Sequence, residues 1–258
     1  MPTIKVAAVQ FAPVFEDKMG NLRKMAFLVK QAAEEGAQLI VLPELATTGY
    51  SFMSKAQALP FAEPIHPDTL TFKSMRVLAE TFRTYIAWGM VELEAGTGDL
   101  FNSQVLVTPD GTWVKYAKVN RWGNDYLWAR PGRANPPIIK AFFDAPKGEG
   151  LVEKKIGLLV CRDVRDKKDD KWKSFYEKGD ADIVCLSANW GDGGFPSISW
   201  LDFAEDNNAH LIVSNRYGKE SCNDFGEGGS CIISPPDKVH CEGLKWDAEC
   251  IVYADLEA

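Results

Sequence analysis

The sequence contains no apolar run long enough to cross a membrane, only three histidines, and no Cys-x-x-Cys pair. A membrane-spanning helix needs about 18 consecutive apolar residues, and no run in this chain approaches that length. The apolar stretch near the start of the sequence is also too short for a signal peptide. We therefore expect a cytoplasmic protein with no membrane partner. Because the cysteines and histidines lack the spacing of zinc ligands, we expect no metal and no other cofactor.

Positive charge is also scarce relative to negative charge. The chain has 29 lysine and arginine residues against 36 aspartate and glutamate residues, which gives a formal net charge of −7. A nucleic-acid-binding protein needs a basic surface to displace counterions, so no nucleic-acid partner is expected. In other respects the composition is typical of a globular protein, because 46% of the 258 residues are hydrophobic and 25% are charged. The six cysteines are expected to be free thiols, since an even count indicates disulfides only in small secreted chains.

Predicted strands and helices alternate along the chain. Residues 4–10 and 38–42 are short apolar runs typical of buried strands, and apolar residues from Leu22 to Ala33 recur at helical spacing. Further strands are predicted at 85–91, 103–107, 113–116, 155–160, 183–186, 211–214, 229–234 and 251–254, and further helices at 68–83, 170–178 and 197–209. Residues 119–140 lack periodicity and are predicted to form a long structured loop. The pattern predicts an α/β fold with mixed sheets, and the lack of a flexible linker predicts a single domain over residues 1–258.

Two of the predicted strands end abruptly in residues that can carry chemistry. Glu44 follows one strand, and Cys161 follows another with Arg162 next to it. Ligand crevices in α/β sheets form at the carboxyl ends of strands. Each residue alone also has an ordinary explanation, since such a glutamate is usually solvated and such a cysteine usually packs in the core. Basic residues beside Cys161 favour a thiolate. No histidine has a context typical of a Cys–His pair, so Glu44 is the candidate base for Cys161.

Three short motifs occur in order along the chain: PELATTGY around Glu44, KYAKVNRW around Lys118, and CRDVR beginning at Cys161. Further matching segments lie at 181–190, 204–218 and 225–239. On these motifs the sequence resembles the nitrilase superfamily of carbon–nitrogen hydrolases, with Glu44, Lys118 and Cys161 at the positions of its catalytic triad. The resemblance covers nearly the whole chain. It implies a four-layer α-β-β-α sandwich with two mixed sheets, and a homodimer or higher homo-oligomer.

The resemblance also implies a fourth catalytic residue, at a position where the sequence departs from its relatives. The family places an additional glutamate there, and in this register the residue is Asp125. An aspartate reaches about 1.5 Å less far than a glutamate. We expect the loop that carries Asp125 to lie closer to the site, docked by Trp122, Tyr126 and Trp128. The alternative is an exposed loop carboxylate.

The activity that the resemblance implies is hydrolysis of a small linear amide through a cysteine thioester, with release of a carboxylate and ammonia or an amine. Glu44 would take the proton of Cys161, pass it to the leaving amine and then activate water. Lys118 and the backbone N–H after Cys161 would hold the oxyanion.

Other residues near these motifs are assigned supporting roles. Asn189 and Trp190 follow a predicted strand directly and are expected to line the substrate pocket, as are Tyr50 and Arg162. Asp163 and Arg165 are expected to brace the loop behind Cys161.

Other functions remain open on the sequence. PELATTGY is more similar to the amidase and carbamoylase branches than to true nitrilases, so an N-carbamoyl amidohydrolase is the nearest alternative and a nitrilase is the next. An alternative of another class is a catalytically silent relative that binds a metabolite or a partner. The intact triad weighs against this last alternative, whereas Asp125 and the replacement of a usual His-Leu by Asn120-Arg121 leave it open.

Overall fold

The computed structural model describes residues 3–145, 150–164, 179–191 and 194–257. The helix predicted at 170–178 and the bracing role expected of Arg165 lie outside these residues. Among the described residues, no helix is long and apolar enough to cross a membrane.

Two mixed sheets, each of six strands within the described ranges, form the centre of the fold. In spatial order, the first sheet contains β14 (Cys250–Glu257), β1 (Thr3–Gln10), β2 (Leu39–Val41), β3 (Tyr85–Leu93), β4 (Leu100–Val107) and β5 (Trp113–Ala117). The second sheet contains β13 (Lys238–His240), β12 (Cys231–Ser234), β9 (His210–Asn215), β8 (Ile183–Ala188), β7 (Leu151–Val160) and β6 (Ile138–Asp144). In each sheet the parallel strands lie between antiparallel neighbours. The helices are α1 (Lys18–Glu34), α2 (Lys55–Ala58), α3 (Leu70–Phe82), α4 (Asp125–Trp128) and α5 (Ile198–Asn207), and a small hairpin is formed by β10 (Lys219–Glu220) and β11 (Asn223–Asp224).

Successive side chains of a strand point to opposite faces of the sheet, so the first sheet contributes apolar residues to two different layers. On β1, Val6 and Ala8 pack with residues of the second sheet, whereas Ala7 and Val9 pack with α1 and α3. On the outer face of the second sheet, α5 contributes Trp200 to the core. The layers therefore follow the order helix, sheet, sheet, helix. The expectation of an α/β fold with a four-layer α-β-β-α sandwich is confirmed.

The segment at 119–140 contains more secondary structure than the sequence predicted. It includes α4, and β6 begins at its end and pairs with β7 in antiparallel register. The strand β6 lies at the edge of its sheet, where only alternate residues such as Ala141 and Phe143 are buried. Such a half-exposed edge strand carries a weaker apolar signal than a central strand.

Polar contacts between the sheets set the position of the strand ends. The Ser187 hydroxyl on β8 donates to the carbonyl of Leu42, 2.7 Å away, just after β2. Gln104 on β4 donates to the same hydroxyl over 2.7 Å. These buried bonds connect both sheets two residues before Glu44, so the carboxyl ends of β2 and β8 are held together.

Candidate active site

Glu44 lies in a tight turn directly after β2. The next residue, Leu45, has a positive φ of 49°, and a Cβ added at Gly89 on β3 would lie only 2.4 Å from the Leu45 nitrogen. A glycine at position 89 therefore allows the turn to press against β3. The turn directs the Glu44 side chain into the interior, where it is fully buried.

Cys161 begins a short 3₁₀ turn at the end of β7 and has a positive φ of 45°. A left-handed conformation is costly for a residue with a Cβ, and such strain clusters at functional sites. The Cys161 carbonyl accepts a hydrogen bond from the Val164 N–H over 3.1 Å, which closes the turn. Behind it, Asp163 accepts the Asn120 N–H over 2.8 Å. Asp163 thus contacts the 119–140 segment from behind Cys161, and burial raises its pKa to about 6.

Lys118 lies between two carboxylates. Its Nζ is 2.6 Å from Glu44 Oε1 and 2.8 Å from Asp125 Oδ2, and all three side chains are buried. The backbone around it is also fixed, because the Lys118 N–H donates to the Asn102 carbonyl over 2.8 Å and the Gly132 N–H donates to the Lys118 carbonyl over the same distance. The backbone of Lys118 is therefore held on both sides while its ammonium group contacts both carboxylates.

The structure places Asp125 against Lys118, not in solvent. Asp125 begins α4, and its Oδ2 also accepts the Trp122 N–H over 3.0 Å. The expected anchors of its loop are only partly right. Trp128 is buried and packs edge-on against Phe52, but Trp122 and Tyr126 are exposed. Their rings stack against arginine side chains at the surface, because an exposed aromatic face attracts a guanidinium group.

Asn102 on β4 joins the cluster, and the sequence reasoning missed it. Its Nδ2 donates to Glu44 Oε1 over 2.6 Å and to Asp125 Oδ1 over 3.1 Å. An asparagine within a buried strand offers no spacing or composition signal, so only its neighbours in space reveal it.

The charges of the cluster determine which groups are ionised. Burial raises the pKa of Glu44, and the nearby Asp125 adds to this effect, while Lys118 and Asn102 oppose it. Burial opposes the charge of Lys118, but Asp125 and Glu44 outweigh it and raise the Lys118 pKa well above its usual value. Lys118 is therefore an ammonium group at neutral pH.

The Cys161 thiol is neutral before substrate binds. Burial raises the pKa of the thiol and the Glu44 charge raises it further, whereas Lys118 and a backbone hydrogen bond from Asn189 act in the opposite direction. The expectation that basic neighbours favour a thiolate is wrong for this state. The guanidinium group of Arg162 lies 4.4 Å from the centre of the Trp122 ring, directed at the indole instead of the sulfur.

A small cavity of about 30 Å³ opens beside Cys161. Its lining consists of Trp122, Cys161, Arg162, Asn189, Trp190 and Gly191. The Asn189 backbone N–H donates to Glu44 Oε2 over 2.9 Å. Its side chain is buried, and neither its amide oxygen nor its nitrogen has a partner among the described residues. The Asn189 side chain is therefore available to a bound molecule.

Tyr50 lies near the cluster, and its contact with substrate stays a prediction. It is absent from the cavity lining, and its hydroxyl donates to the Trp122 carbonyl. Its backbone N–H donates to Glu220 Oε1 over 2.7 Å. Tyr50 thus connects the turn after Glu44 to the loop that carries Asp125.

The described residues contain no group of three or more histidine, cysteine or acidic side chains arranged to hold a metal. Fold and cluster together define a class: an α-β-β-α sandwich protein with a buried cysteine beside an ion-paired glutamate and lysine. The chain belongs to the carbon–nitrogen hydrolase family, whose profile matches residues 5–258.

Individual relatives agree with this family. A nitrilase from Pyrococcus abyssi is 30% identical over 92% of this chain and 83% of its own length. An omega-amidase from Saccharomyces cerevisiae is 25% identical over 98% of this chain and 87% of its own length. Among solved structures, an amidase from Nesterenkonia sp. superposes with a TM-score of 0.76 at 22% identity, covering 98% of this chain and 90% of that one. The protein is therefore an enzyme of this hydrolase family with the same fold.

Proposed function

We propose that the protein hydrolyses the C–N bond of a small linear amide through a thioester on Cys161. The observation that carries this proposal is the contact of a buried lysine with both Glu44 and Asp125, beside a cysteine in a strained turn. The match over residues 5–258 supports a single catalytic domain. Formation of a homodimer or larger homo-oligomer remains a prediction.

The reaction begins when the Cys161 sulfur attacks the amide carbonyl carbon and Glu44 takes the thiol proton. Because the resting thiol is neutral, this proton transfer accompanies attack and needs no preformed thiolate. Lys118 stays protonated and, with the Arg162 backbone N–H, stabilises the oxyanion of the tetrahedral intermediate. Glu44 then protonates the nitrogen, the C–N bond breaks, and ammonia or an amine leaves. Glu44 finally takes a proton from water, whose oxygen attacks the thioester carbon. The C–S bond then breaks, Glu44 returns the proton to the Cys161 sulfur, and the acid leaves and ionises to the carboxylate.

The cavity and the relatives support a small amide as substrate. The cavity opens directly beside Cys161, so an amide bound there can present its carbonyl carbon to the sulfur. Asn189 offers a polar substrate an amide that has no hydrogen-bond partner in the part of the chain that the structure describes, while Trp122 and Trp190 provide apolar walls. Related proteins include enzymes named as an (R)-stereoselective amidase and as omega-amidases. A solved structure of a mutant of the Nesterenkonia amidase shows covalent addition of the acetamide moiety of fluoroacetamide at its active-site cysteine.

The test is a screen for ammonia release with the purified protein. Candidate substrates are short aliphatic amides, omega-amides, N-carbamoyl amino acids and nitriles. We expect release from one or more of the amides, with a thioester trapped on Cys161 and detected by mass spectrometry. Turnover of carbamoyl compounds or nitriles alone would replace the proposal with those activities. Absence of turnover in every class would favour a catalytically silent binding protein.

Replacing Asp125 with alanine is expected to lower kcat about 100-fold and to change KM much less. The substitution removes one of the two carboxylates that hold Lys118, and a misplaced lysine weakens oxyanion stabilisation selectively in the transition state. Asp125→Glu is not expected to restore activity, because Asp125 is fully buried and a longer side chain would have to displace its packed neighbours. Steady-state kinetics of both variants test this. Unchanged kinetics in Asp125→Ala would remove Asp125 from the mechanism.

A further inference from the structure

Asn102 contacts both carboxylates of the site and the backbone of its lysine. Its side-chain Nδ2 reaches Glu44 Oε1 at 2.6 Å and Asp125 Oδ1 at 3.1 Å, and its carbonyl accepts the Lys118 N–H at 2.8 Å. We propose that Asn102 is a positioning residue that keeps Glu44 ionised and turned so that one carboxylate oxygen is free for the Cys161 proton. This inference rests on the function proposed above.

The two oxygens of Glu44 have different hydrogen-bond environments. Oε1 accepts two donors, Asn102 Nδ2 and Lys118 Nζ, each at 2.6 Å. Oε2 accepts the Asn189 backbone N–H at 2.9 Å. Because a carboxylate oxygen has about two acceptor positions, Oε1 is saturated and Oε2 keeps one position open. Asn102 therefore assigns proton transfer to the Oε2 atom.

The orientation of the Asn102 amide is dictated by charge. If the amide were flipped, its oxygen would face two carboxylate oxygens, which is repulsive. In the observed orientation the amide oxygen is buried and has no partner among the described residues. Here one end is left unpaired while the other contacts two charged groups.

The same contact favours the ionised form of Glu44. Among the described residues, the titratable groups that interact with Glu44 are Lys118 after β5, Asp125 on α4, Cys161 after β7 and Tyr50 after β2. The hydrogen bond from Asn102 lowers the Glu44 pKa and so opposes the effects of burial and Asp125. Without this donor, Glu44 binds a proton at higher pH.

The experiment measures kcat/KM against pH for Asn102→Leu and Asn102→Ser. A base works only when deprotonated, so a raised Glu44 pKa moves the acidic limb of the profile to higher pH. We expect an upward shift of about one pH unit in Asn102→Leu, a loss of about tenfold in kcat/KM in the acidic limb, and recovery at higher pH. The shift should be smaller in Asn102→Ser, because a hydroxyl keeps one donor. KM should change little.

The matched control is Gln104→Leu. Gln104 lies two residues further along β4 and is also fully buried, and its amide oxygen is likewise unpaired among the described residues. Its amide nitrogen, however, bonds Ser187 and not a carboxylate. This variant is expected to lose thermal stability without a shift in the acidic limb. The inference would be overturned if folded Asn102→Leu or Asn102→Ser protein kept the acidic limb of its kcat/KM profile at the wild-type pH. It would also be overturned if Gln104→Leu shifted the acidic limb by the same amount.

A second readout separates this inference from the proposed function. Alkylation of Cys161 by iodoacetamide is followed against pH by peptide mass spectrometry, which distinguishes it from the exposed Cys222 and Cys241. The pH dependence of Cys161 labelling should move in Asn102→Leu in the same direction as the kinetic limb. If labelling moves but the wild-type protein hydrolyses no substrate, the proposed function fails and the role of Asn102 stands. If turnover is present and neither profile moves, only the role of Asn102 fails.

Discussion

The Cys161→Ala protein is expected to fold and to lose hydrolysis by at least about 10⁴-fold. Without the sulfur no thioester can form, and a planar amide is a poor electrophile for water alone. Alanine tolerates the positive φ at this position no worse than cysteine does, so the turn keeps its shape. We expect a loss in the free energy of unfolding of about 1 kcal/mol or less. Ammonia release and thermal unfolding measure the two effects.

Cys185→Ala is the matched control for that variant. Cys185 lies on β8 and is as deeply buried as Cys161, but the rise in its pKa has burial as its only cause. Loss of this thiol should therefore lower stability slightly and leave turnover unchanged. Turnover by Cys161→Ala close to that of the wild type would place the nucleophile elsewhere.

Glu44→Gln is expected to lower kcat about 10³-fold to 10⁴-fold and to remove the acidic limb of the pH profile. Gln has nearly the same shape but cannot accept the Cys161 proton. Its amide oxygen has to face the donors Lys118 and Asn102, which directs its NH₂ group at the Asn189 N–H and creates a donor–donor conflict.

The pH dependence of the wild-type protein follows from the same residue. Burial raises the Glu44 pKa above its ordinary value of 4.5, so activity should fall as the pH drops through this raised value. Residual turnover in Glu44→Gln should lack this fall. Kinetics across the acidic range compare the two proteins.

Glu92→Gln serves as the control for loss of a buried carboxylate. Glu92 on β3 is also buried, but it is paired with Ser103 and Lys115, outside the cluster. This substitution should reduce stability and preserve the acidic limb. An acidic limb that persists unchanged in Glu44→Gln would mean that another group is the base.

The sequence was sufficient to predict most of the strands, the helices α1, α3 and α5, and the candidates Glu44, Lys118 and Cys161. Buried residues recur every two residues along a strand and every 3.6 residues along a helix, so a short stretch of sequence is enough to predict these elements. The end of an apolar strand is likewise a local signal, and it marks Glu44 and Cys161 without knowledge of the fold. The ordered motifs then pointed to the family and, through it, to the four-layer sandwich.

Only the tertiary structure decided how these residues are arranged and ionised. Glu44 is 74 residues from Lys118 and 145 from Asn189 along the chain, yet both donate to its carboxylate. Such contacts depend on the packing of two sheets, which no local pattern encodes. Packing of the two sheets likewise decides the contacts of Asn102, the inward position of Asp125, and the hydrogen bond from the Tyr50 hydroxyl to the loop that carries Asp125. It also decides the neutral state of the Cys161 thiol. A pKa is set by burial and by charges that lie close in space, whereas the sequence showed only the basic residues next to Cys161 along the chain.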